Sequence, residues 1–495
     1  MSPLQATIKR LSTGVPGLDE VLCGGLPEFS FNLLAGPPGA GKTTLAHQMM
    51  FALATAERPA LYFTVPGEPP LKMLRYQQQF EFFDLDKLNR TVRFINLSDE
   101  IADGDLTAVL KRIVAEVEQR TPGLVLIDSF RSVLIAGQSQ PNPRLSVQQF
   151  TQDLGVTMTS WQATTFLIGE YFNEGDPDPI FTVADGVIWL RQSAQRNSVV
   201  RKLEIVKMRG QPTLSGLHTF RIGSDGIRVF PPAEAFARTQ IAIPSSSDER
   251  LGVGVPGLDA MLGGGLPRGY SMLVAGPSGS GKSIMASAFL AEGERVGTSG
   301  VIASFEQRPN LARSRVVADL IDRGSVGLVD TRAADLSVDE IAAQILTEIH
   351  RLGATRVVID SLTGFELKMA PTFREDFRES LARMVAVLAG TGVTMLMTSE
   401  LEDRYSDLRF SPYGTAFLTD AIIVQRYIEV DSRLQRVMAV VKLRASAHSN
   451  GLQLYEIDNG GIRLGGMLHD YEGLLGGRPT RRDPLFEPTL TVSNS

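Results

Sequence analysis

The chain has 495 residues, more than one core normally fills, and at ~100–200 residues per domain it should form two to four units. Hydrophobic residues make up 43% and charged residues 21%, an ordinary globular usage that excludes a disordered or fibrous description of the whole. A formal charge of −6 supplies no global basic field for DNA or an anionic membrane, and the single cysteine, Cys23, excludes an internal disulfide, a four-cysteine zinc site and a CxxC redox pair.

The first fourteen residues carry Lys9 and Arg10 without an apolar run of signal length, and nowhere do eighteen apolar residues follow one another. The expected compartment is the cytoplasm, with no membrane partner. Residues 31–35 read as a buried strand running into Gly36-Pro37-Pro38-Gly39-Ala40-Gly41-Lys42-Thr43. Behind it, Leu45, Ala46, Met49, Met50 and Leu53 recur at helical spacing, an apolar stripe that belongs to the core. Further strands are expected at 124–127, ending on Asp128, and at 165–168, 187–190 and 203–206, the last followed by Lys207-Met208-Arg209. Pro231-Pro232 and the polar run from Ile243 to Arg250 mark a linker at about 231–250, with the boundary near Ser245.

Beyond that boundary the chain repeats itself. Gly14-Val15-Pro16-Gly17-Leu18-Asp19 returns as Gly254-Val255-Pro256-Gly257-Leu258-Asp259, and Gly24-Gly25-Leu26-Pro27 as Gly264-Gly265-Leu266-Pro267. The glycine loop returns in the same register as Gly276-Pro277-Ser278-Gly279-Ser280-Gly281-Lys282-Ser283, after an expected strand at 272–275 and before Met285, Ala286, Phe289 and Leu290 at helical spacing. Strands at 357–359, ending on Asp360, and at 395–398, 422–425 and 439–441, followed by Lys442-Leu443-Arg444, complete the second copy. Short apolar runs alternating with helical patterns imply a mainly parallel sheet flanked by helices in each copy, so the fold is α/β with two tandem P-loop domains, 1–244 and 245–479. Residues 480–495 lack apolar periodicity and are expected to be a mobile tail.

The loop pattern Gly-x-x-x-x-Gly-Lys-Ser/Thr carries chemistry because its glycines let backbone amides close around phosphates while the next helix adds the partial positive charge of its N-terminus. Lys42 and Lys282 should reach the β- and γ-phosphates, Thr43 and Ser283 should offer a hydroxyl to Mg²⁺, and Thr44 and Ile284 continue the wall. Asp128 and Asp360, each ending a strand, should steer the Mg²⁺ shell. Hydrolysis also needs a group on the attacking water. Glu306 is the candidate in the second copy, whereas the first has Pro66-Gly67 at the matched place, with Glu68 just beyond.

Taken together, the doubled Gly-Val-Pro-Gly-Leu-Asp and Gly-Gly-Leu-Pro, both loops, Ile127-Asp128-Ser129 with Ile359-Asp360-Ser361, and the two Lys-x-Arg pairs resemble the KaiC type of tandem RecA-like ATPases over about residues 4–479. That resemblance implies an ATP- and Mg²⁺-dependent homohexamer of two stacked rings, nucleotide held between neighbours, and unidentified regulatory or output proteins as further partners. It implies that Lys207, Arg209, Lys442 and Arg444 reach the adjacent subunit's γ-phosphate, that Glu306 stands where the first of two adjacent catalytic glutamates is expected, and that Glu68 aligns with the second only after a one-residue shift, Pro66-Gly67 otherwise holding both places. Hydrolysis is expected mainly in the second domain. Clock members carry a Ser-Thr pair before a Thr-Asp, and here the stretch is Ala416-Phe417-Leu418-Thr419-Asp420. A clock-type autokinase, with Ser411, Thr415 or Thr419 as the nearest acceptors, is the second reading. A recombinase-like DNA motor is the third, disfavoured by the charge.

Overall fold

The computed structural model describes residues 8–65, 70–102, 104–137, 143–172, 178–195, 198–235, 249–305, 315–401, 418–467, 471–473 and 480–481. The chain divides into two compact units, Met1–Ala235 and Phe236–Ser495. Residues 236–248, around the boundary expected from sequence, lie outside the described residues, as do 482–495.

In the first unit a short ladder of β1 (Arg10–Leu11) and β2 (Leu26–Pro27) precedes a nine-stranded sheet. Its strands are β3 (Phe31–Gly36), β4 (Ala60–Thr64), β5 (Val92–Asn96), β6 (Leu124–Asp128), β7 (Thr164–Glu170), β8 (Gly186–Gln195), β9 (Ser198–Met208), β10 (Leu217–Gly223) and β11 (Gly226–Phe230), in the order β11-β10-β9-β8-β3-β7-β6-β4-β5. From β8 to β5 all neighbours are parallel, while β9, β10 and β11 close one side as an antiparallel ladder. The parallel strands are buried on both faces, and their side chains alternate between two cores. Phe31, Leu33 and Ala35 join the layer that holds Val109, Ile113 and Leu154, whereas Leu34 joins the layer of the helix Lys42–Leu53, with Leu45, Met49 and Met50.

The second unit repeats this plan. Its ladder is β12 (Arg250–Leu251) with β13 (Leu266–Pro267). The sheet runs through β14 (Ser271–Gly276), β15 (Gly300–Ser304), β16 (Val326–Val329), β17 (Arg356–Asp360), β18 (Thr394–Glu400), β19 (Ala421–Val430), β20 (Arg433–Leu443), β21 (Gln453–Asp458) and β22 (Gly461–Met467). The order β16-β15-β17-β18-β14-β19-β20-β21-β22 matches the first sheet strand for strand. One expectation fails at the tail: Thr480–Arg481 are not loose chain but β24, paired with β23 (Tyr471–Glu472), because two backbone segments satisfy one another's hydrogen bonds there.

The repeated Gly-Val-Pro-Gly-Leu-Asp motif proves architectural. Asp19 accepts hydrogen bonds from Ser12 Oγ at 2.6 Å and from the Thr13 amide and hydroxyl at 2.8 and 2.7 Å, and Asp259 accepts the Val253 amide at 2.6 Å. Gly17 has φ +81°, and a Cβ there would lie 1.9 Å from the Val229 carbonyl, so only glycine lets this turn close on β11.

Candidate functional site

In each unit the glycine loop leaves the C-terminal end of a central parallel strand and enters a helix, as the pattern predicts. Gly39 and Gly41 take φ +74° and +104°, and Gly279 and Gly281 take +77° and +98°, so both loops have one backbone shape that side chains would strain. The helices Lys42–Leu53 and Lys282–Arg295 begin without a side-chain cap, leaving their first amides for a ligand. Lys42 Nζ folds back to donate to the carbonyls of Gly36 and Pro37, both at 2.9 Å, and Lys282 Nζ to those of Gly276 and Pro277 at 2.8 and 2.7 Å. Burial depresses both ammonium groups below the ordinary lysine value, opposed by Glu170 and Asp128 in the first unit and by Glu400 and Asp360 in the second.

In the first unit the Thr43 hydroxyl and the Asp128 carboxylate meet. Thr43 Oγ1 donates to Asp128 Oδ2 at 2.9 Å, and the Tyr62 hydroxyl donates to the same oxygen at 2.7 Å. Burial raises the Asp128 carboxyl above its usual range, and the Tyr62 and Thr43 hydrogen bonds and the Lys42 charge offset part of the rise. In the second unit Asp360 accepts from Thr398. Tyr62 comes from β4, on one side of the Asp128 strand, and Thr398 from β18, on the other side of the Asp360 strand, so the two carboxylates are held from opposite flanks.

A half-open cavity of about 280 Å³ in the first unit is lined by Lys42, Thr43, Thr44, Asp128 and Glu170. A larger one, about 510 Å³, lies where Phe51, Phe82 and Phe83 meet near the far end of the helix, and among the described residues none of the groups expected to hold phosphate lines it. Sequence reasoning missed Tyr62, Glu170, Thr398 and Glu400. The two glutamates could have been found, since each ends an apolar run at matched places in the repeat.

The Lys-x-Arg pairs lie elsewhere. Val187 pairs with both Leu33 and Lys207, and Ile422 with both Leu273 and Lys442, so each lysine sits about 10 Å, three residues of strand, below the glycine that opens its own loop. Lys207 Nζ donates to the carbonyls of Phe181 and Thr182, each at 3.2 Å, and Arg209 pairs with Asp185 at 3.3 Å. Lys442 donates to the Thr419 carbonyl and Arg444 pairs with Asp420 at 3.3 Å. Burial and the neighbouring arginine lower both lysines. Glu306, Pro66, Gly67 and Glu68 lie outside the described residues, as do Ser411, Thr415, Ala416 and Phe417.

Two doubly wound sheets, each with a phosphate loop, a hydroxyl and a strand-end aspartate, define a tandem RecA-like P-loop ATPase. A model of the KaiC ATPase family matches residues 11–234 and again 251–467, and the chain belongs to that family. The circadian clock oscillator protein KaiC of a Picosynechococcus strain is 27% identical over 489 residues, spanning 96% of this chain and 93% of its own. The circadian clock oscillator protein KaiC 1 of a Synechocystis strain is 27% identical over 493 residues, spanning 96% and 92%, and the KaiC of a Nostoc strain is 25% identical over 492 residues with the same coverage. Among the described residues no helix is long and apolar enough to cross a membrane.

Proposed function

We propose that both units bind Mg-ATP, that six chains close into two stacked rings with nucleotide between neighbours, and that nucleotide state sets assembly and the binding of regulatory or output proteins in the cytoplasm. The observation carrying this reading is the strand register, which puts Lys207 and Arg209, and Lys442 and Arg444, toward the sheet edge away from their own loops. Cations so placed serve a γ-phosphate on an adjacent chain, where they offset charge in the transition state. The cavity volume agrees, since about 280 Å³ is at the lower limit of the ~300–1,000 Å³ usual for small-molecule sites and leaves the nucleoside to a second surface.

The residues present fit a divalent ion: Thr43 and Asp128 meet at 2.9 Å beside a loop of open amides, and Ser283 and Asp360 hold the matched places. Mg²⁺ bound there would neutralise charge on the β- and γ-oxygens. Lys42 and Lys282 exchange their loop carbonyls for phosphate oxygens, and the helix N-termini orient the chain of phosphates. In the second unit Glu306, which follows the strand Gly300–Ser304 in the chain, would orient the attacking water.

Hydrolysis is favoured over self-phosphorylation. Thr419 is fully buried, and Ala416 and Phe417 carry no hydroxyl. Native mass measurement should find hexamers in Mg-ATP and smaller species without nucleotide. A monomer at saturating Mg-ATP would reject the ring and the trans roles, and stoichiometric labelled phosphate within 411–419 would restore the autokinase.

A further inference from the structure

We infer that Glu170 is a catalytic carboxylate of the first site, orienting the attacking water and accepting its proton. The inference rests on the reading of that site as an ATP-hydrolysing one. In the sheet, β7 is the strand that separates the loop strand β3 from the Asp128 strand β6. Glu170 is aligned with Gly36, where the loop begins, and stands two residues beyond Ile168, the partner of Asp128. Its place is therefore between the phosphate loop and the metal-steering aspartate, one step farther out from the sheet. It lines the cavity with Lys42, Thr43 and Asp128, and its charge supports the Lys42 ammonium while opposing ionisation of Asp128.

A structural glutamate at a strand end normally caps a turn or pairs with a cation. The Glu170 side chain is exposed and makes neither a hydrogen bond nor an ion pair among the described residues. The second copy repeats the placement, with Glu400 aligned with Gly276, although the strands Thr164–Glu170 and Thr394–Glu400 otherwise share little sequence. The first copy also has the greater need, because Pro66-Gly67 occupy the place of Glu306-Gln307. Of the two carboxylates that line its cavity among the described residues, Asp128 is already engaged by Thr43 and Tyr62. In the step assigned, the water oxygen bonds to the γ-phosphorus as its proton passes to a Glu170 oxygen. The bond from that phosphorus to the bridging oxygen breaks, and its electron pair leaves on ADP. The carboxylic acid then returns the proton to the departing phosphate.

The test uses the full chain carrying Lys282→Ala, so that only the first site turns over, and compares Glu170→Gln with Glu68→Gln. Three quantities are read: labelled ATP bound at equilibrium, the ratio of ATP to ADP on the protein after incubation, and the Mg²⁺ dependence of binding. Glu170→Gln is expected to bind ATP within about threefold of its parent, with unchanged Mg²⁺ dependence, and to retain it unhydrolysed, with turnover lowered ~10²–10⁴-fold. Glu68→Gln tests the competing carboxylate, and the assignment requires the larger loss of turnover to fall on Glu170→Gln. Undiminished turnover in Glu170→Gln, a loss that falls on Glu68→Gln instead, or a weakened Mg²⁺ requirement for binding would overturn the assignment. A Lys282→Ala parent that binds no nucleotide, or binds it without turnover, would instead reject the underlying reading of the site.

Discussion

The two phosphate loops share one backbone shape and rest on different chemistry. Under the first, Ala40 is buried in an apolar layer with Leu190 and Phe220. At the three matched positions the second has Ser280, Gln425 and Tyr455: Ser280 Oγ donates to Gln425 Oε1 at 2.9 Å, and the Tyr455 hydroxyl donates to the Ser280 carbonyl at 2.6 Å. Tyr427, matched to Gln192, adds a 3.5 Å bond to the Ser278 carbonyl. The three changes go together because a buried hydroxyl or carboxamide oxygen without its partner is costly: Ser280 and Gln425 Oε1 satisfy one another and Tyr455 satisfies the Ser280 carbonyl, leaving Gln425 Nε2 without a hydrogen bond among the described residues, whereas the apolar plug of the first copy needs no such bonds. Support for a functional loop is thus exchangeable as a set, while the glycines, the lysine and the strand-end aspartate are not.

The sharpest way to separate the copies is Glu306→Gln, which should lower turnover at the second site by ~10²–10⁴-fold while leaving binding intact and the first site untouched. Steady-state hydrolysis in a Lys42→Ala chain isolates that site, and a parental rate there would remove Glu306 from the mechanism. Next in size, Lys42→Ala and Lys282→Ala each delete a charge-assisted contact worth ~1.5–3 kcal/mol, so affinity at the altered site should fall roughly 10–100-fold. Equilibrium dialysis should then count two nucleotides on the parent and one tightly bound nucleotide on each variant. Equal occupancy in parent and variants would break the assignment of both loops.

The support beneath the loops predicts a smaller effect. Ser280→Ala strips Gln425 of its partner and should destabilise the second unit by ~1–3 kcal/mol. Adding Gln425→Leu, which restores the first copy's pairing of Ala40 with Leu190, should recover much of that loss in denaturant unfolding. Strict additivity of the two changes would show that they are not coupled.

The least effect comes from His47, whose matched residue in the second copy is Ser287. The imidazole is fully buried, edge-on to Tyr62 at 4.6 Å, with neither ring nitrogen hydrogen-bonded, and burial lowers its pKa to about 4, with Gln77 nearby moderating the fall. Because the folded value lies below the unfolded ~6.5, the unfolded chain binds the proton first, and stability of the first unit declines as pH falls from about 6.5 toward 4. At pH 5.5 the loss should be about 1.4 kcal/mol. Unfolding of the first unit followed against pH should lose this slope in His47→Phe, and an unchanged slope would place the titration elsewhere.

Sequence by itself determined the duplication, the α/β class, both phosphate loops and the aspartates that end β6 and β17, because each depends on local rules: glycines where φ is positive, an apolar run where a strand is buried on both faces. All ten strands expected from apolar runs exist. It did not yield β4, β5, β10, β11, β16, β21 and β22, whose residues are short, mixed or half-buried, so that no period marks them. Nor could it say that Asp19 and Asp259 are turn anchors, that Tyr62 and Thr398 hold the two aspartates from opposite sides, or that the Lys-x-Arg pairs point away from their own loops. These are consequences of strand order. In a sheet where β7 lies between β3 and β6, residues distant in the chain become neighbours at one edge, and only the tertiary pairing decides which of them, Glu170 among them, face the phosphate cavity.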